Sequence, residues 1–121
     1  MEYDLEERFI NFAVDVIEIS KTLRPSIAST HLNKQLVRSA TSIPLNYAES
    51  RSAESINDFI HKLSISLKEL RETRVNLEIL KRSNLIKDED RLNKGLLEIN
   101  QLIAILTKSI STTKKRHVSS S

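Results

Sequence analysis

Across 121 residues the chain holds one glycine, Gly95, and two prolines, Pro25 and Pro44. That scarcity limits the fold more than any motif does. A sheet protein reverses direction every eight to twelve residues or so and needs turn residues at each reversal. Long helices joined by a few short connections need almost none. The apolar residues make up 39% of the chain, mostly Leu and Ile, and only 4% of residues are aromatic. That is enough for a modest core in one domain. The composition therefore predicts an all-α protein.

Apolar spacing divides the chain into four helical segments. In the first, Leu5, Phe9, Phe12, Val16, Ile19 and Leu23 repeat in steps of four and three, the seam of a helix lying nearly parallel to its neighbours. Ile10, Ala13, Val14 and Ile17 are expected to widen the buried face, and Arg24-Pro25 to end the helix. The second helix is expected to start at Ser29 or Thr30 and carries Leu32, Leu36, Ala40, Ile43 and Tyr47. Pro44 falls inside this pattern, where its missing N–H predicts a kink. The third helix should run from Ser55 to about Ser83, with Ile56, Ile60, Leu63, Leu67, Leu70 and Leu77 as its seam and Asn84 as a stop. The fourth follows Asp88 through Leu92, Leu96, Ile99, Ile103, Leu106 and Ile110. Connections of about four to six residues join antiparallel neighbours, so the expected architecture is an up-down-up-down four-helix bundle over residues 1–111. Residues 112–121 are Ser, Thr and basic residues with one Val, which reads as a disordered tail.

Charge is uneven. Residues 1–20 carry six acids against Arg8, whereas Lys108 onward carries four bases and no acid. No stretch is long enough to span a bilayer, the acidic start does not resemble a secretory signal, and cysteine is absent, which excludes disulfides and thiolate metal sites. A cytoplasmic protein without membrane association is expected.

Two constellations could carry function. Gln35, Ser39, Ser42, Asn46 and Glu49 step by four and three along one line of the second helix, beside its apolar stripe. Such a line of small and hydrogen-bonding side chains suits close approach of another helix or subunit; the alternative is a solvated face. The third helix carries Lys62, Lys68, Arg71, Arg74, Lys81 and Arg82, with Arg74 where the seam would place Leu. These cations could bind phosphates; the alternative is a solvated face tied by pairs such as Lys68–Glu72 and Arg74–Glu78. Lys114, Lys115 and Arg116 could add salt-sensitive attraction to nucleic acid. With so few aromatics, contact to the nucleic-acid backbone is expected rather than base stacking. Catalysis finds little support: His31, His61 and His117 are scattered, no metal or cofactor motif is present, and a dispersed acid pair such as Glu49 with Glu72 is the only opening.

Arg38-Ser-Ala-Thr-Ser-Ile-Pro-Leu-Asn-Tyr-Ala-Glu49 resembles the signature of the 23S rRNA intervening sequence proteins, relatives of the accessory variability determinants of diversity-generating retroelements. Arg38, Ser39, Ser42, Ile43, Pro44, Asn46, Ala48 and Glu49 match, and a second block matches at Phe59, Leu63, Ser64, Ile65, Leu67 and Glu72. Ser50 stands where the family usually has Gly, and Tyr47 where it usually has Ile. The resemblance implies a four-helix bundle assembled into a ring, typically a homopentamer, and in the retroelement branch a ring that binds nucleic acid and a reverse transcriptase through basic surfaces. It adds Arg38 to the polar line on the second helix and favours close approach there. The expected function is a non-enzymatic oligomeric adaptor that binds RNA or DNA; the alternative is a protein–protein scaffold without nucleic acid. A metal or small-ligand bundle ranks last.

Overall fold

The second, third and fourth helices each begin where a side-chain oxygen can hold a free amide of the first turn. In the computed structural model, which describes residues 2–120 and side chains from Leu5 to Val118, the helices are α1 (Glu2–Ser20), α2 (Ile27–Ser50), α3 (Ile56–Arg82) and α4 (Glu89–Ser120). Ser55 caps α3 by accepting from the Asp58 amide at 3.0 Å, and Asp88 accepts from the Arg91 amide at 3.0 Å, as capping chemistry favours. The cap of α2 is Ser26, not Ser29 or Thr30. Ser26 is extended (φ −171°, ψ 166°) after Pro25 and accepts from the Ser29 amide. The Ser29 and Thr30 hydroxyls already lie in the first turn and donate back to Ser26 O.

The ends follow similar competition. α1 stops at Ser20 rather than near Arg24: the Ser20 and Thr22 hydroxyls donate to Ile17 O and Ile19 O, sharing those carbonyls with the backbone amides of Lys21 and Thr22, a local competition that weakens a helix end. Leu23 then makes an isolated bridge with Ile86, and Arg24 N–H donates to Leu85 O at 2.8 Å. α2 ends without glycine geometry, since its cap Arg51 is right-handed (φ −74°). α3 ends at Ser83, followed by Asn84 at φ 55°, the left-handed position that Asn tolerates. Pro44 lies inside α2, and the helix continues past it to Ser50. α4 runs on to Ser120 where composition suggests a disordered tail from residue 112. Nothing in 112–120 is Gly or Pro, and the Thr113 hydroxyl donates to Ser109 O at 2.8 Å, within the helix. Residue 121 lies outside the described residues.

Cross-helix pairs fix the directions. Asn33 reaches Ser20 O while Phe9 meets Tyr47 edge-on at 5.1 Å, so α1 and α2 are antiparallel. Asn76 bonds Leu32 O and Lys62 pairs with Glu49, so α2 and α3 are antiparallel. Arg8 forks onto Glu98 at 2.7 and 3.0 Å while Arg91 pairs with Asp15, so α4 runs against α1. Each helix packs on its chain neighbours, and α4 closes on α1, giving an up-down-up-down bundle.

The core is a column of Leu, Ile and Phe: Phe9, Leu36, Ile43, Leu70, Leu77, Leu80, Ile99, Leu102 and Leu106 are fully buried. Each such side chain contributes at most about 1.5–3 kcal/mol of burial. Three expectations shift. Ile10 and Val14 are 41% and 50% exposed and do not widen the buried face. Ile56, at the end of its helix, is 46% exposed. Leu102 is fully buried, while Leu96 and Ile103 pack at its edge.

Candidate functional site

Within the polar line of α2, Ser39 is buried against α3, Ser42 and Asn46 are half-buried, and Gln35 and Glu49 are exposed. Ser39 and Thr73 are both buried and their hydroxyls meet at 2.8 Å. Ser66, also buried, donates to Ile43 O at 3.0 Å, and Asn76 donates to Leu32 O at 3.1 Å. These bonds place small polar side chains of α3 against the α2 backbone, which requires the helices to approach closely. Thr73, not Arg74, occupies the core position of that turn; Arg74 is half-buried beside it. Sequence reasoning missed Ser66, Thr73 and Asn76, although their steps of seven and three keep the helical period of the line on α2. The remaining members serve local roles: Ser42 donates to Arg38 O, Asn46 to Ser42 O, and Glu49 pairs with Lys62 at 3.1 Å.

Arg38 leans from α2 across the boundary and forks onto Glu69 at 3.4 Å and Glu72 at 3.3 Å. Burial pushes the Glu69 carboxyl above the ordinary glutamate range, the nearby Glu72 charge raises it further, and Arg38 opposes both. The fork changes the electrostatics of α3. The pairs expected along that helix, Lys68–Glu72 and Arg74–Glu78, do not form, because Glu72 is held by Arg38 and Glu78 by Arg82 at 3.0 Å. Among the described residues, Lys68, Arg74 and Lys81 are therefore left without a carboxylate partner, and Arg71 has no acid three or four residues away. Lys68, Arg71 and Lys81 are exposed, and the four span about 20 Å of helix.

The other basic residues are elsewhere. α4 starts beside the C-terminal end of α3, and Lys114, Lys115 and Arg116 lie near the far end of α4, roughly 38 Å along the bundle from that start. The structure thus divides the expected basic set into a face on α3 and a separate group at the opposite end. His31 and His61 are exposed on different helices, no metal-ligating cluster occurs among the described residues, and Glu49 and Glu72 have separate partners. No helix is long and apolar enough to cross a membrane among the described residues.

Between α2 and α3 lies a groove of about 480 Å³ lined by Leu32, Gln35, Arg38, Ser39, Arg71, Glu72, Val75, Asn76 and Ile79. Leu32, Val75 and Ile79 give it aliphatic wall, and its charged residues are Arg38, Glu72 and Arg71. Arg74, Val75, Glu78, Ile79 and Arg82 line an adjoining hollow. Gln35, the first member of the polar line, opens into the groove.

Comparison with known proteins agrees with this architecture. The family described as 23S rRNA-intervening sequence protein matches residues 2–108. A crystal structure of a protein with unknown function from the S23 ribosomal protein family of Bacteroides thetaiotaomicron is 31% identical, with a TM-score of 0.76 over 88% of this chain and 97% of that one. No curated protein matches.

Proposed function

Because this chain belongs to the 23S rRNA-intervening sequence protein family, we propose that it is a cytoplasmic, non-enzymatic adaptor whose α3 surface binds the phosphate backbone of RNA or DNA. One observation carries this reading: among the described residues Lys68, Arg71, Arg74 and Lys81 lack carboxylate partners, Arg38 and Arg82 holding Glu72 and Glu78 and no acid standing three or four residues from Arg71. Cations already paired would gain little from phosphate, whereas unpaired ones release counterions on binding. The group at Lys114, Lys115 and Arg116 adds attraction at the other end. Self-association, pentameric by the family resemblance, would repeat the face around a ring and strengthen its field.

The test is fluorescence anisotropy with labelled single-stranded RNA across a salt series. Four phosphate contacts per subunit predict a slope of log affinity against log salt of about −3. Arg71→Glu, Arg74→Glu and Lys81→Glu together should abolish binding and leave the melting temperature nearly unchanged. An absence of binding by the unaltered oligomer at low salt would reject the reading.

Exposed apolar residues favour a second reading, a protein scaffold. Ile10 and Val14 sit one turn apart on α1, and Leu97 on α4 is 67% exposed. Residues of this kind suit a subunit or partner contact. Partner binding that survives the triple charge reversal, with no nucleic acid co-purifying, would select the scaffold.

A further inference from the structure

The groove between α2 and α3 contains a polar atom whose hydrogen-bonding capacity is unmet. Asn76 is 7% exposed. Its Nδ2 donates to Leu32 O at 3.1 Å, which orients the amide. Its Oδ1 is sealed from solvent with no donor in reach. Buried acceptors are normally satisfied, and one that is not marks either strain or a missing partner. Here the residue belongs to the lining of a groove, its Oδ1 just beneath the surface, and the groove also offers aliphatic walls in Leu32, Val75 and Ile79 and a cation, Arg71, with no carboxylate partner among the described residues. Its volume of about 480 Å³ falls in the range of roughly 300–1,000 Å³ typical of small-ligand sites.

We propose, resting on the nucleic-acid reading above, that the groove takes one unstacked nucleobase from a single strand, with the base's exocyclic amino group donating to Asn76 Oδ1. The strand's phosphates then lie along Arg71 and Arg74, the latter flanking Val75 and Ile79 from the adjoining hollow. A base has two apolar faces and a polar edge, so it uses the aliphatic walls, the amide and the cation together. Sequence-selective RNA readers take splayed bases in this way, by their edges. Aromatic stacking is not required, because the walls are aliphatic and a guanidinium plane can lie on a base. Nδ2 already donates to Leu32 O, and the amide atom without any partner is the acceptor Oδ1. It suits the amino groups of adenine and cytosine. Uracil offers an N–H recessed between two carbonyl oxygens, and those oxygens would face Oδ1 unfavourably. Since Oδ1 is sealed, entry requires Gln35 and Arg71, both exposed and lining the groove, to move aside.

The experiment compares labelled RNA homopolymers of equal length, poly(A), poly(C) and poly(U), by anisotropy at one low salt concentration. The expected result is a preference for poly(A) and poly(C) over poly(U) on the order of tenfold, the worth of one unmade buried hydrogen bond. Asn76→Leu should erase the preference and leave the salt slope unchanged. Val75→Trp, at an exposed position that does not put folding at risk, should fill the groove and also erase it. Equal affinity for all three polymers would overturn the inference and leave backbone binding standing, and so would a preference that survives both substitutions. Failure of every polymer to bind would overturn both. Binding of an acidic protein that competes with poly(A) and is lost in Val75→Trp, with no base preference, would assign the groove to a protein partner instead.

Discussion

The hydroxyl pair Ser39–Thr73 allows a test of whether polar contacts set the packing of α2 on α3. Both side chains are buried, at 2% and 0% exposure. Three contacts compete for two hydroxyl protons: Ser39 to Leu36 O at 3.2 Å, Thr73 to Glu69 O at 2.8 Å, and the 2.8 Å contact between the hydroxyls. At any moment one proton joins the pair and the other goes to a carbonyl. Thr73→Val keeps the volume and removes one hydroxyl. Ser39 then donates to Leu36 O, so no donor is stranded and the loss is one hydrogen bond, about 1 kcal/mol. Ser39→Ala leaves Thr73 donating to Glu69 O, again at about 1 kcal/mol. The double variant removes both protons and with them both bonds, so it should cost about 2 kcal/mol. The two single costs then add, with a coupling energy near zero. Urea denaturation measures it through the shift in midpoint at constant slope, and each single variant should lower the melting temperature by about 3–6 °C. A double variant that costs no more than a single one would refute this count of two bonds. Neutral single variants would refute the claim that the polar seam contributes to stability.

Two further outcomes follow from the same geometry. Since the folded pKa of Glu69 is raised, the folded chain keeps a proton that the unfolded chain loses near the ordinary value of 4.5. Its contribution to stability is therefore greatest below that value and fades as pH rises through the folded pKa; Glu69→Gln should flatten the dependence of melting temperature on pH in that window, and an unchanged profile would reject it. Gly95 lies inside α4, and a Cβ built there comes no closer than 4.0 Å, to Ile19 Cδ1, so Gly95→Ala should stabilise the protein by about 0.5–1 kcal/mol in thermal unfolding, and destabilisation would reveal a packing constraint at the α1–α4 boundary.

The sequence read well where one physical rule acted alone. Ser55 and Asn84 bound α3 because a cap and a left-handed residue are local choices. It read poorly where two local options competed. Ser26 captured the cap from Ser29 and Thr30 because Pro25 sets the backbone before it, and the Ser20 and Thr22 hydroxyls shortened α1. The composition of 112–120 suggests a loose tail, but no residue there breaks a helix. The polar line on α2 was visible as a period, and the family signature pointed to close approach, yet the facing line of Ser66, Thr73 and Asn76 sat unread beside the leucines. Small polar residues at core spacing look like solvent residues until a partner helix is present. The unpaired state of the α3 cations was hidden for a different reason. Pairing rules within one helix assign Glu72 to Lys68, and only the tertiary fold reveals that Arg38 competes for it.

That competition makes the charge of one helix surface depend on a side chain rooted in another. A change at position 38 would hand Glu72 back to Lys68 and lower the local potential of α3 without altering a single residue on it. Members of such a lineage could therefore strengthen or weaken their grip on a polyanion by substitution outside the row of cations that holds it, and inspection of that row alone would miss the cause.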